Sequence, residues 1–132
     1  MADTQINDER ARAFADALKT FEQEKDVSVL TRLFADDATT LRFDARGERK
    51  GEVGQFWQEY RAQFDELQTT FYNVVEGGDQ FALEWTSTGS LSDGRPIEYR
   101  GVTVIDLDGD KIVKLRTYYD SAQFAAVPAD TA

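Results

Sequence analysis

Three glycine-bearing turn signals, Gly77-Gly78, Asp93-Gly94 and Asp108-Gly109, cut the second half of the chain into runs of strand length. The runs are Thr69 to Val75, Gln80 to Thr88, Ile97 to Leu107 and Lys111 to Tyr119. Short turns of this kind join antiparallel neighbours. Alternation then assigns faces. Phe81, Leu83, Trp85 and Ser87 point one way, and Ala82, Glu84, Thr86 and Thr88 the other. In the last run Val113, Leu115, Thr117 and Tyr119 share a side. An earlier Thr-rich run, Ala38 to Phe43, reads as one more strand, and alternation alone buries its Leu41 and Phe43.

The first part of the chain follows the helical period. Phe14, Leu18 and Phe21 recur at i, i+4 and i+7, with Ala13 and Ala17 widening the stripe and Asn7 or Asp8 as cap. Asp26 is placed to cap a short second helix with Val27, Leu30, Leu33 and Phe34 on its apolar side. A third helix follows Gly51 and aligns Val53, Trp57, Tyr60 and Phe64. Asp120 is expected to cap a closing helix, Ser121 to Ala126, that turns Phe124 inward. Helices ahead of hairpins predict an α+β fold, with three N-terminal helices on one face of a mostly antiparallel sheet. A strongly curved sheet would leave a cavity beneath them. A length of 132 residues suits one domain, residues 1–132, with 1–6 and 128–132 as loose ends.

Composition narrows the chemistry. The chain has no His and no Cys, so triads, thiol nucleophiles and the usual zinc, copper and haem ligands are missing. No metal and no cofactor are expected. A formal net charge of −10 repels phosphate backbones and anionic lipid, which argues against nucleic acid and membrane partners. No run is long and apolar enough to cross a membrane, and the acidic start does not read as a secretory signal. A cytoplasmic location is expected. The run Asp106 to Asp110 reads as a turn: an EF-hand loop needs Gly and Glu where Lys111 and Thr117 stand.

The run Leu33-Phe34-Ala35-Asp36-Asp37-Ala38-Thr39, the helix after Gly51 and the ending Gly109-Asp110-Lys111-Ile112 to Tyr118-Tyr119-Asp120 resemble the SnoaL-like branch of the nuclear transport factor 2-like superfamily. The resemblance covers residues 8–125. It implies a conical fold with a pocket open at one end, and a homodimer formed through the outer sheet face. The family includes polyketide cyclases, steroid isomerases, epoxide hydrolases, dehydratases, non-catalytic binders and protein-binding subunits, so fold alone names no reaction. The matching places Phe14, Leu18, Val53, Trp57, Tyr60 and Phe64 on the helical wall. It places Trp85, Ser87, Tyr99, Gly101, Thr103, Thr117, Tyr119 and Phe124 on the sheet wall. Against the alternation of the first strand, it sends Thr40 and Arg42 inward.

The family's known chemistries do not map onto these residues. The positions that match the steroid isomerase base, its helix tyrosine and its late-strand acid hold Arg42, Phe14 and Thr103 or Val102. The positions of the epoxide hydrolase machinery hold Thr117, Trp85, Ser87, Thr40 and Arg42. The cyclase acid again falls on Thr117, and the cyclase and dehydratase histidines are absent.

The remaining candidates are Arg42 and the ring-bearing residues Trp57, Tyr60, Trp85, Tyr99 and Tyr119. Arg42 is either a pocket cation asking for an anionic group or a surface residue paired with Asp44 or Glu48. The rings either line a cavity for a flat, apolar ligand or fill an ordinary core. Asp120 is read as a helix cap, and Glu84 as an outward residue paired with Arg100 or Arg116. The leading expectation is a pocket that binds a small, partly apolar or aromatic molecule, anionic if Arg42 faces it. The alternatives are a cofactor-independent isomerase, cyclase or hydrolase working through Arg42 with Tyr60, Tyr99 or Tyr119, and a dimeric assembly module.

Overall fold

Asp8 starts the first helix by accepting hydrogen bonds from the backbone N–H groups of Arg10 and Ala11, the usual work of an N-cap carboxylate. In the computed structural model, which describes residues 3–42 and 47–125, that helix is α1 (Glu9–Glu24). It is followed by α2 (Ser28–Thr31), β1 (Phe34–Arg42), β2 (Arg49–Lys50) and α3 (Val53–Arg61). Then come β3 (Phe64–Gly77), β4 (Gln80–Leu91), β5 (Pro96–Asp108), β6 (Lys111–Tyr119) and a closing 3₁₀ turn, Ser121–Phe124. The strands form one six-stranded sheet in the order β2-β1-β6-β5-β4-β3. Every pairing is antiparallel except β1 with β6. This is the α+β cone, with its helices covering the concave face of the sheet.

Several local expectations change. Residues 3–6 are not loose: Thr4 donates to the Phe71 carbonyl, Phe71 donates to the Asp3 carboxylate, and Ile6 is buried. The stripe of α1 runs through Ala11 and Ala15, whereas Ala13 is exposed. Asp26 sits one residue before the true cap of α2, Val27, and takes the N–H and hydroxyl of Ser28. Phe34 opens β1 and Phe64 opens β3, so neither belongs to the helix that its spacing suggested. Thr40 and Arg42 are buried on β1 while Leu41 is half-buried, the reverse of plain alternation. Phe43 and Asp44, like residues 1–2 and 126–132, lie outside the described residues. On β6 a bulge pairs Asp106 with Lys114 and Leu107 with Ile112. Val113 is the extra residue there, so Ile112 takes the buried place expected for it.

Register lines up the inward side chains in rows across the sheet. One row is Thr69, Ser87, Tyr99 on β3, β4 and β5. The next is Phe71, Trp85, Gly101, Tyr119. The third is Leu83, Thr103, Thr117, which reaches Arg42 on the parallel neighbour β1. Gly101 is glycine because the Trp85 indole lies on it: a Cβ there would meet Trp85 Cζ2 and the Tyr118 carbonyl oxygen, each at 2.5 Å. Helix α1 is latched over the sheet at its start by Arg10, which donates to Asp79 Oδ1 at 2.9 Å and to the carbonyls of Gly109 at 2.8 Å and Gly78 at 3.4 Å. It is latched at its end by buried Arg61 of α3, which donates to the carbonyls of Glu22, Phe64 and Asp65.

Gly101→Ala is expected to destabilise the protein by about 1–3 kcal/mol, because backbone and ring must both give way. Urea unfolding measures the cost. A variant as stable as the parent would show that the indole does not occupy that place.

Candidate functional site

The concave side of the cone keeps a small hollow. Leu18 and Glu22 of α1, Phe56, Trp57 and Tyr60 of α3, and Arg42 of β1 wall it on one side. Thr69, Trp85, Ser87, Thr103 and Thr117 wall it from the sheet. Its volume is about 20 Å³, room for one water-sized occupant. The residues around it are closely drawn in. Leu18, Arg42, Trp57, Tyr60, Trp85, Ser87, Thr103 and Thr117 face the hollow. Phe14 lies behind Trp57 with ring centroids 6.2 Å apart, and Val53 is buried in the first turn of α3. Phe64, Tyr99, Tyr119 and Phe124 pack on one another into an aromatic plug beside the hollow, with Tyr99 and Phe124 centroids 4.8 Å apart.

Glu22 is the residue that sequence reasoning missed. It is 2% exposed, although it stands on a helix with water along its other face. Ala11, Ala15, Leu18 and Glu22 fall at i, i+4, i+7 and i+11, so the signal was an acid on the apolar stripe. Its Oε1 accepts the Thr69 N–H at 3.0 Å and its Oε2 lies 2.5 Å from Thr69 Oγ1. Burial pushes its carboxyl up to about 7, against the opposing pull of the Thr69 hydrogen bonds and the charges of Arg61 and Lys19.

Hydroxyls continue from there. Thr69 Oγ1 is 2.6 Å from Ser87 Oγ, its cross-strand neighbour, and Tyr99 is the next residue in the row. The Tyr99 hydroxyl is bonded to that of Tyr60. Burial holds both phenols well above the ordinary tyrosine value, so they stay protonated and act as hydrogen-bond donors rather than bases. A second hydroxyl chain runs beside the first: Trp85 Nε1 donates to Thr103 Oγ1 at 2.9 Å, and Thr103 is 3.0 Å from Thr117 Oγ1. Among the described residues, two buried polar side-chain atoms have no partner, Thr40 Oγ1 and Trp57 Nε1.

Arg42 is 8% exposed. Its Nη1 donates to the Phe56 carbonyl at 3.1 Å, and its guanidinium lies over the Phe56 ring at 4.6 Å. Glu59 Oε1 stands 3.9 Å from Nη2, whereas Glu48 pairs with Lys114 instead. Glu84 accepts from Asn73 Nδ2 at 2.6 Å rather than pairing with Arg100 or Arg116, and Arg116 approaches Asp106. Asp120 caps the closing turn by accepting the Ala122 N–H. Among the described residues no three acidic side chains converge as a metal site would require, and no helix is long and apolar enough to cross a membrane.

The chain belongs to the SnoaL-like domain family, whose profile matches residues 11–115. No curated protein matches it. Among solved structures it is similar to a nuclear transport factor 2-like protein from Anabaena variabilis, with TM-score 0.80, 17% identity, and 91% of this chain and 98% of that one covered. It is also similar to a protein of ketosteroid isomerase-like fold from Catenulispora acidiphila, solved in complex with trimethylamine, with TM-score 0.77, 21% identity and coverage of 95% and 98%. A candidate SnoaL-like polyketide cyclase from Jannaschia aligns with TM-score 0.71, 14% identity and coverage of 94% and 100%. At these identities the likeness establishes the fold.

The buried carboxyl fixes a pH dependence. Folded Glu22 keeps its proton up to about pH 7, whereas the ordinary value is 4.5. Between those values the native state binds more protons than the unfolded chain, so stability falls as pH rises and levels off above the folded value. Glu22 alone accounts for a loss on the order of 3 kcal/mol across that window. Glu22→Gln can keep both hydrogen bonds to Thr69 and is expected to remove this loss, gaining on the parent at mildly alkaline pH. Urea unfolding of both proteins across the window measures it, and parallel pH curves would refute the burial of an ionisable group here.

Proposed function

We propose that this SnoaL-like protein binds a small, partly apolar or aromatic molecule in the hollow, with an anionic or electron-rich oxygen of the ligand set toward Arg42. The observation that carries this reading is the unpartnered buried Nε1 of Trp57, a residue that lines the hollow. Leaving such an atom unpaired costs about 1–3 kcal/mol, and buried polar groups in native proteins are as a rule satisfied. Its neighbours in the hollow, Thr69, Ser87, Thr103 and Thr117, are all paired. A ligand with a polar end supplies the missing partner. The rings of Phe56, Trp57, Tyr60 and Trp85 suit its apolar part. With room for only one water, the hollow gains space by the Arg42 guanidinium moving off Phe56.

A second reading, a cofactor-independent isomerase, cyclase or hydrolase, is favoured by Glu22. It supplies a carboxyl that changes charge close to neutrality at the hollow, the property a general acid or base needs. The lack of cysteine agrees with a cytoplasmic setting. A homodimer through the outer sheet face is supported by exposed Tyr72, Val75 and Tyr118 on that side.

Binding is read from the fluorescence of Trp57 and Trp85, with benzoate as an anionic aromatic probe and trimethylamine as a cationic one. Benzoate is expected to saturate and Arg42→Gln to weaken it about tenfold or more. Saturation by trimethylamine alone would overturn the anionic reading, and a response to neither would overturn the pocket. For the dimer, sedimentation is expected to show two copies, with Tyr118→Glu returning single chains. A parent that sediments as a monomer at high concentration removes that part of the proposal.

A further inference from the structure

Three side chains from three elements form one hydrogen-bonded line on the wall of the hollow: Glu22 of α1, Thr69 of β3 and Ser87 of β4. Glu22 Oε1 is taken by the Thr69 N–H, so Oε2 is the oxygen that meets the Thr69 hydroxyl. Thr69 Oγ1 stands between Glu22 and Ser87, and its single proton goes to one of them while it accepts from the other. Such a line has two polarities. With Glu22 ionised, Oε2 can only accept, so Thr69 donates to it and Ser87 donates to Thr69. Ser87, which lines the hollow, then offers a lone pair. With Glu22 protonated, Oε2 donates to Thr69, Thr69 donates to Ser87, and the Ser87 O–H is released to whatever occupies the hollow.

We propose that Ser87 is a specificity-determining residue of the hollow, and that the charge on Glu22, passed on through Thr69, decides which form of a ligand it accepts. A ligand carbonyl can only accept a hydrogen bond, whereas a ligand hydroxyl can donate or accept. Ionised Glu22 therefore selects the alcohol of a skeleton over its ketone, because the ketone would set lone pair against lone pair at Ser87. Protonated Glu22 admits both. The ligand keeps all its bonds, and the proton that comes and goes is that of Glu22. The ligand class is a ring acid with its anionic end at Arg42 and a hydroxyl on the far side. Arg42 on β1 and Ser87 on β4 are separated by β6 and β5, three strand steps or about 14 Å of sheet, with Thr117 and Thr103 on the wall between them. That ligand class rests on the binding reading above; the polarity of Ser87 does not.

The surroundings make Glu22 the group that changes charge. It is faced by the cations Lys19 of its own helix and Arg61 of α3, with Arg42 of β1 across the hollow. Lys19 is itself paired with Asp3, and Arg61 is occupied by three carbonyls. Tyr60 of α3 and Tyr99 of β5 lie within its field, and burial keeps both phenols protonated. Trp85, Ser87, Thr103 and Thr117, which line the hollow from β4, β5 and β6, carry no charge. Burial brings the Glu22 carboxyl up to about 7, so the two polarities exchange close to neutrality. The other hydroxyl pair on the wall, Thr103 with Thr117, ends on Trp85 Nε1, a donor of fixed sense, and has no such choice.

The switch is tested first without ligand. Carbon-13 resonances of the Glu22 carboxyl and of Ser87 Cβ are followed from mildly acid to mildly alkaline pH. In the parent, both are expected to move with one midpoint. Thr69→Val keeps the N–H bond to Glu22 and removes the hydroxyl link, so Glu22 still titrates but Ser87 no longer follows. In Glu22→Gln the Ser87 resonance is expected to stay flat. A parent Ser87 indifferent to Glu22 overturns the switch, and so does one that still follows in Thr69→Val, since that is a field acting through space. The ligand class is tested by calorimetry with para-acetylbenzoate and the alcohol made by its reduction. The two are equal in charge and close in shape, so the field of Glu22 on the anionic end cancels in their ratio. In the parent, the preference for the alcohol is expected to rise about tenfold from the acid to the alkaline end. Glu22→Gln, whose amide donates to Thr69 at every pH, is expected to hold the ratio at its acid value. A parent ratio indifferent to pH overturns the selection, and so does a rise that persists in Glu22→Gln. Absence of binding overturns the ligand class together with the pocket reading, while the resonances still decide the switch.

Discussion

The contact of Glu22 with Thr69 is where the first helix meets the sheet, and the interior is arranged around it. A carboxyl at that depth is tolerable only because both oxygens are engaged and its proton can stay on near neutrality. It fixes the rotation of α1 about its axis, since Ala11, Ala15 and Leu18 share its side. It also fixes what the neighbouring strands present. Opposite Thr69 the register places Ser87 and then Tyr99, so a polar row begins at the acid and ends in the aromatic plug.

The row beside it shows how close packing and function share the same residues. Trp85 lies flat over Gly101 and donates to Thr103, which in turn meets Thr117. Those threonines bring no charge to the hollow. Here they are hydroxyls that satisfy an indole. The wall of the hollow is self-satisfied along the sheet, and its unmet polar atom, Trp57 Nε1, stands apart from that wall, on α3.

Much of this was legible in the chain. The hairpin turns, the inward faces of β4 and the α1 stripe follow from glycine placement and from two simple periods, which are local properties. The family resemblance placed Thr40 and Arg42 inward where alternation did not. The reason is physical: β1 runs beside β6 under α3 and buries Ala38, Thr40 and Arg42 on one side while Leu41 is half-buried on the other. The bulge at Val113 was not legible, because an extra residue in one strand appears only against its partner. Glu22 was legible in principle. An acid at i+11 of an apolar stripe is a rule broken, and such breaks tend to mark sites. Its partners were not, since Thr69 lies 47 residues away and only the sheet brings it near.

The two arginine latches on α1 decide which part of the cone can yield. Arg10 fastens one end of that helix to two hairpin turns, and Arg61 fastens the other to the start of β3. Helix α3 carries Arg61, so its last turn shares that second latch. Its first turn is held less: its cap, Glu52, sits in the left-handed region and gives no side-chain hydrogen bond. Both beams over the doorway are therefore bolted at their far ends, and whatever slack the wall has lies at the near end of α3, ahead of Phe56, Trp57 and Tyr60.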